Sequence, residues 1–400
     1  MKSDRLKKLF FSGVSNFNGD LILKISVNNS DVSLRSGENC LVISNKNFDT
    51  ISEDNISAYK ALIILNEVNA KEVKGNNKIV FLNENPVFND GDIVEIICCD
   101  KKAKVVVLYR PDSDDNTLVM TSACNNKCIM CPEPIVRESS VNFNLNMISK
   151  LISLIDKKTL NLGITGGEPT LIKQDLVKIL SLCRKRLPNT QLSLITNGRM
   201  FSYKSFVDAV KNVNNKRLLF CIPLNSHDEK IHDEITEVKG SFLETCNGIK
   251  NLLSESQLVE LRIVIQKKNY RDLEKIANFI INNFFGVYRV VFIGMEVSGM
   301  ARFNIKNVWV KYDEVKASLE KALILLLDSG VKTNVFNIPL CKISLPFRRL
   351  VANSISDYKI RFLSDCENCS EKKLCGGCFV STIDLIKKEG VKPINETTSI

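Results

Sequence analysis

From Thr117 onward, short apolar runs alternate with longer amphipathic stretches, and this alternation limits the possible folds more than any other feature of the 400-residue chain. Strands are expected at 117–122, 160–165, 191–196, 217–224, 260–266 and 289–295, with helices at 145–156, 174–186, 203–212, 241–254, 270–284 and 311–327. A strand followed by a helix returns to the sheet as a parallel neighbour, so six such units in a row predict an α/β fold, a partial TIM-like barrel. Sites in such folds lie at the C-terminal ends of the strands. Ahead of the barrel, 21–27, 61–65, 78–82, 92–98 and 103–109 are runs rich in Val, Ile and Leu, bounded by Asn, Asp, Gly and Ser. The expected organisation is a β-rich domain over 1–112, a (β/α)6 barrel over 113–328, a small extension over 329–387, and a polar tail over 388–400 read as disordered. The β-rich domain is either a docking surface for a peptide, by strand addition, or a packing domain for the barrel.

At 44% hydrophobic composition the chain has the material for a large core. No apolar run approaches the ~18 residues of a membrane span, and the basic residues 1–11 lack the apolar stretch of a secretory signal. A cytoplasmic location is expected. There, 14 cysteines point to metal or redox chemistry and away from disulfides. Cys40, Cys98, Cys99, Cys183, Cys221 and Cys246 stand in apolar or strand-like surroundings and read as core residues, Cys221 with a second reading as an inward-facing hydrogen donor. The remaining cysteines are clustered. Cys124-x3-Cys128-x2-Cys131 follows the first barrel strand. Three thiolates on one loop can hold three corners of a 4Fe–4S cluster and leave one iron open, as a catalytic site requires. A zinc site completed by a distant cysteine is the other reading. His227 and His232 are the chain's two histidines; they read as shaping a surface loop, or as proton donors. Near the C-terminus, Cys366-x2-Cys369-x5-Cys375-x2-Cys378, with Cys341 upstream, suits either zinc or an iron–sulfur cluster.

The first cysteine pattern resembles the signature of the radical S-adenosylmethionine (radical SAM) superfamily. The following motifs also fall in that family's order at successive strand ends: Gly166-Gly167-Glu168, Thr196-Asn197, Asn225-Ser226, Arg262 with Gln266, and Gly294-Met295. The resemblance implies that the open iron chelates S-adenosylmethionine, and that an electron from the cluster cleaves the sulfonium to a 5′-deoxyadenosyl radical that abstracts hydrogen from substrate. It implies that the Gly-Gly-Glu stretch binds the methionine amino group, with Glu168 accepting from the ammonium, and that the later motifs meet the ribose, carboxylate or adenine. No substrate-facing catalytic residue follows from it. The C-terminal cysteines are similar to SPASM/twitch extensions, which carry auxiliary clusters. Five cysteines imply one auxiliary 4Fe–4S cluster on Cys341, Cys366, Cys369 and Cys375, with Cys378 as the alternative fourth ligand. Over residues 90–385 the chain is most similar to the C-type maturases of the His-Xaa-Ser peptide system. The shared stretches include Gly91-Asp92-Ile93-Val94, 107–110, 294–301, 346–349 and 354–359, and the departure is Cys378, where that family has an aromatic residue. This implies an oxygen-sensitive enzyme with a ribosomally made peptide or small protein as substrate and a flavodoxin or ferredoxin as electron donor. The net charge of +10 raises an RNA-modifying alternative, but the lysines are scattered with no basic and aromatic block. A zinc-binding structural or regulatory protein is the alternative from another class.

Overall fold

The computed structural model describes residues 10–15, 17–27, 39–44, 58–65, 78–133 and 143–395; the basic residues 1–9 and the tail residues 396–400 lie outside the described residues. The first seven strands are β1 (Phe10–Ser15), β2 (Gly19–Ser26), β3 (Asn39–Ile43), β4 (Ala61–Ile64), β5 (Lys78–Leu82), β6 (Ile93–Cys99) and β7 (Lys102–Tyr109). They form a closed barrel in the order β1-β5-β4-β3-β2-β6-β7. Two of them escaped the sequence reading for physical reasons. β1 carries Gly13, which reads as a breaker, yet a Cβ there would lie 2.0 Å from the Phe81 carbonyl oxygen, so β1 can pair closely with β5 only because the residue is glycine. β3 is buried on both faces and therefore shows no alternation. Cys40 and Val42 join the core with Leu23, Ile63 and Val105, while Leu41 and Ile43 pack with Leu62 and Ile64 in a second cluster. Among the described strands the closed barrel leaves no free edge, which favours the packing-domain reading over strand addition.

The alternating region follows: β8 (Thr117–Val119), α1 (Leu145–Leu154), β9 (Asn161–Thr165), α2 (Gln174–Arg186), β10 (Gln191–Ile195), α3 (Lys204–Lys211), β11 (Leu218–Pro223), α4 (Glu229–Thr236), α5 (Ser241–Ser254), β12 (Leu258–Val264), α6 (Leu273–Asn283), β13 (Arg289–Ile293), α7 (Gly299–Phe303), α8 (Ile305–Val308), α9 (Tyr312–Asp328), β14 (Thr333–Phe336) and β15 (Val351–Ala352). Strands β8–β15 lie in one sheet in sequence order, and each pair from β10 to β15 is parallel. Helices α2 and α5 match the expected ranges. The sheet has two strands more than the six expected: β14 and β15 are four and two residues long, too short to carry a readable period. β16 (Ile360–Arg361) and β17 (Cys378–Phe379) make a small antiparallel ribbon, and α10 (Ile383–Glu389) follows.

The chain divides into two compact units. One is residues 1–118 with 144–163 and 178–191; the other is residues 119–143 with 164–177 and 192–400. Among the described residues, no helix is long and apolar enough to cross a membrane. Of the six cysteines read as core, Cys40, Cys98, Cys183, Cys221 and Cys246 are buried. Cys99 is exposed, because it ends β6 at a turn through Asp100 and Lys101, both at positive φ.

Candidate active site at the strand ends

The loop after β8 is held from three sides. The amides of Lys127 and Ile129 donate to Thr236 and Ile235 carbonyls (2.9 and 3.0 Å), using acceptors that the C-terminal end of α4 leaves unpaired. On a second side, Ala301 N–H donates to the Cys131 carbonyl (3.2 Å), and Asn304 Nδ2 to that of Ile129 (3.0 Å). On the third, Asn197 Nδ2 donates to Asn125 Oδ1 (2.6 Å), while Arg199 Nη1 reaches the Asn125 carbonyl (2.6 Å) and Asn126 Oδ1 (2.7 Å). Arg199 is itself held by Glu244 (2.5 Å) on α5. Sequence reasoning passed over Arg199; the signal was its place directly after Thr196-Asn197-Gly198 at the end of β10. Cys124 is exposed and Cys128 and Cys131 are half-buried. Loss of water around the thiols, aided by their mutual repulsion, pushes Cys124 up to about 11 and Cys128 up to about 12, and burial also raises Cys131. A bound metal acts the other way, since a coordinating thiol is deprotonated.

The Gly166-Gly167-Glu168 turn is built against the approach to that loop. Gly167 N–H donates to the Thr121 carbonyl (2.7 Å) and Glu168 N–H to that of Ala123 (2.8 Å). A Cβ on Gly166 would lie 2.3 Å from Thr121 O, and one on Gly167 equally close to Ala123 O. The close approach that the glycines permit is thus made by the chain's own backbone. Glu168 is fully buried, and its carboxylate accepts from Thr170 N (2.9 Å), Thr170 Oγ (2.6 Å), Thr196 Oγ (2.7 Å) and Asn197 N (2.6 Å). Three of these donors converge on Oε1 and one, Asn197 N–H, on Oε2, which leaves Oε2 room for a further donor. Glu168 braces the end of β9 to the end of β10. Thr196 and Asn197 are buried parts of the same brace.

The ends of β11, β12 and β13 carry the remaining motifs. Asn225 and Gln266 are buried. Asn225 Oδ1 and both ends of the Gln266 amide have no partner among the described residues, nor does His227 Nδ1. Asn269 Nδ2 ties the two strand ends by donating to the Asn225 carbonyl (2.9 Å) and the Val264 carbonyl (3.0 Å). Ser226 is buried and accepts from Asp228 N–H. Met295 packs with Ile129, Met130 and Ile235, so it touches the cysteine loop's own apolar cluster. Arg262 lies inside β12, below this rim; its Nε donates to the buried Glu260 (2.7 Å), which Arg289 also pairs. Cys221 is opposite Glu260 in register and fully buried. His232 is not on a surface loop: it is buried, Nδ1 accepts from Asn225 N–H (3.3 Å), and burial holds it down at about 4.

Residues 118–280 match the Radical SAM superfamily family model. The chain carries a radical SAM domain. A probable GTP 3′,8-cyclase of Sulfurisphaera tokodaii is 30% identical over 52% of this chain and 63% of its own length. The antilisterial bacteriocin subtilosin biosynthesis protein AlbA of Bacillus subtilis is 26% identical over 40% of this chain and 35% of its own. The chain thus spans less than two thirds of either relative. Among solved structures, Streptococcus suis SuiB bound to precursor peptide SuiA is similar at 17% identity and a TM-score of 0.46, over 55% of this chain and 48% of that one.

A radical SAM domain implies a 4Fe–4S cluster and S-adenosylmethionine, and the residues of the rim fit both. Three cysteines share one firmly anchored loop. The unpartnered polar atoms of Asn225, Gln266 and His227 belong to loops at two adjacent strand ends, where a buried amide is costly unless a ligand pairs it.

Beyond the radical SAM domain, Cys341, Cys366, Cys369, Cys375 and Cys378 all line one cavity. Among the described residues, no three His, Cys, Asp or Glu side chains are grouped to hold a single metal ion. Cys375 Sγ accepts from Leu340 N–H (3.5 Å) and Gly377 N–H (3.4 Å), and Cys369 Sγ from Ile394 N–H (3.4 Å). Cys378 is the buried member; burial and three neighbouring cysteines push it up to about 12. The tail, expected to be disordered, runs across this cavity as far as the described residues extend: Val391, Lys392, Pro393 and Ile394 line it.

Proposed function

We propose that this radical SAM enzyme matures a ribosomally synthesised peptide. The observation that carries the core activity is a three-cysteine loop beside the Gly-Gly-Glu brace, with unpartnered buried polar groups on the next strand ends. In this reading Cys124, Cys128 and Cys131 hold a 4Fe–4S cluster, and Gly166, Gly167, Thr196, Asn197, Asn225, Ser226, Gln266 and Met295 border S-adenosylmethionine. The cluster and S-adenosylmethionine supply one-electron chemistry able to remove a hydrogen atom from an unactivated carbon. The chain's part is to fix the loop, through Arg199, Asn197 and the end of α4, and to bury the polar contacts away from water. Glu168 acts through the brace. Arg262, committed to Glu260 below the rim, is the least favourably placed of the expected contacts. The five-cysteine cavity holds an auxiliary cluster, with Cys341, Cys366, Cys369 and Cys375 as ligands and Cys378 as the alternative. A peptide substrate is supported by that cavity, by the maturase resemblance and by the subtilosin biosynthesis relative.

The cyclase relative favours a second reading, a purine nucleotide as substrate. Anaerobic reconstitution decides between them. With a reductant and S-adenosylmethionine, the enzyme should release 5′-deoxyadenosine. A short peptide encoded beside this gene should then change mass only in the complete mixture. Conversion of GTP with no change in peptide mass would overturn the peptide reading. Salt-sensitive RNA retention would favour the RNA reading. A colourless, zinc-loaded protein without iron or sulfide would overturn all three.

A further inference from the structure

The segment Val391–Ile394 has two anchors, each next to a cysteine of the C-terminal cavity. Its base is the end of α10, where Glu389 is buried against Lys342, the neighbour of Cys341 (3.0 Å). Gly390 then turns the chain at φ +84. Its tip is held by Ser370, the neighbour of Cys369: both Ser370 N–H (2.9 Å) and Ser370 Oγ (2.6 Å) donate to the Ile394 carbonyl. Between the anchors, all four residues line the cavity. The segment also faces a sulfur with a donor: Ile394 N–H points at Cys369 Sγ (3.4 Å), while Lys392 lines the cavity with Cys341. Pro393 stiffens the stretch between Lys392 and Ile394.

The geometry points to a strap: Val391–Ile394 closes over the auxiliary centre, limits access to it, and tunes its reduction potential by donating the Ile394 N–H to the sulfur of Cys369. This rests on the reading that the five-cysteine cavity holds an iron–sulfur cluster. Hydrogen bonds to sulfur and exclusion of solvent are two of the factors that set a cluster's potential. An N–H aimed at sulfur stabilises the more negative, reduced cluster, so its loss makes the potential more negative. Ser370 is exposed, so the tip anchor can open without unfolding the core.

Three variants separate these effects. Ser370→Ala removes one tip bond. Ile394→Pro removes the N–H aimed at Cys369 and keeps the carbonyl that Ser370 holds, with Ile394→Ala as its donor-retaining control. A chain ending at Gly390 removes the strap. In the cluster-free protein, alkylation of Cys341 and Cys369, mapped by mass spectrometry, should accelerate in the shortened chain and less so in Ser370→Ala. A rise of roughly tenfold would correspond to losing an anchor worth about 1.4 kcal/mol. In the reconstituted protein, a ferrous chelator should remove the auxiliary iron faster from the same variants, and the auxiliary midpoint potential should shift negative in Ile394→Pro but not in Ile394→Ala. Alkylation, iron loss and potential all equal to the parent chain's would overturn the strap. If no cluster forms in the C-terminal cavity while alkylation still responds to strap removal, the cluster reading fails and the strap stands.

Discussion

Replacing Arg199 by Met should loosen the three-cysteine loop without unfolding the barrel. The guanidinium is largely buried, with 14% of the side chain exposed, and it donates to the Asn125 carbonyl at 2.6 Å and Asn126 Oδ1 at 2.7 Å. Hydrogen bonds from a charged donor are worth about 1.5–3 kcal/mol each, and water replaces part of what is lost, so the two together hold the loop by about 2–4 kcal/mol. The pair with Glu244 adds little, because that carboxylate is 42% exposed and screened. A loop weakened by about 3 kcal/mol should bind its cluster on the order of 10²-fold more weakly. The assay is iron and sulfide content after anaerobic reconstitution and challenge with a graded chelator. On the proposed reading of two four-iron clusters, the parent chain should retain roughly eight irons and Arg199→Met roughly four. Arg199→Lys should give an intermediate result, since one ammonium can replace the Nη1 donor to the loop but cannot at the same time keep the Nε bond to Glu244 that orients it. Thermal unfolding of the cluster-free chain should change little. Equal chelator midpoints for Arg199→Met and the parent would refute the clamp.

Cys124, Cys128 and Cys131 changed together to Ala should abolish 5′-deoxyadenosine formation yet leave the C-terminal iron in place; continued product release would show that another site cleaves S-adenosylmethionine. Gly167→Ala puts a Cβ 2.3 Å from the Ala123 carbonyl oxygen, so the backbone leading to Cys124 must move. Turnover should fall on the order of 10²-fold, the usual result of misplacing reacting groups by about 1 Å, with overall helicity by circular dichroism unchanged. Glu168→Gln turns one acceptor into a donor facing Asn197 N–H and Thr hydroxyls; the expected loss is about 1–3 kcal/mol in chemical denaturation, and an unchanged midpoint would mean that the brace is unimportant. His232 is held at about 4 in the fold against 6.5 for the free side chain. The unfolded chain therefore binds the extra proton first, and the fold loses up to ~3 kcal/mol as pH falls through that window, none of it above. Denaturation midpoints of His232→Gln should lack this part of the acid slope, and parallel pH curves for the two proteins would contradict the assignment.

The chemistry is readable from the sequence because it is local. Cys124, Cys128 and Cys131 share one loop, and the strand–helix alternation by itself places that loop, Gly166-Gly167, Thr196-Asn197 and Asn225-Ser226 at successive strand ends. Helices α2 and α5 are readable to the residue because a full amphipathic period runs between clear ends. Tertiary structure alone decides the rest. Gly13 reads as a breaker until β5 lies against it, and the barrel's closure depends on which strands meet across long separations. Glu168 is a brace because its donors include Thr196 and Asn197, 28 and 29 positions away. Arg199 matters because α5 supplies Glu244 and the fold brings Asn125 and Asn126 to its Nη1. Val391–Ile394 lies along the cysteine cavity because Ser370 holds Ile394 and Lys342 holds Glu389. A sequence states which groups are available; which are spent on one another is set by long-range contacts, whose energies exist only once distant segments have been brought together.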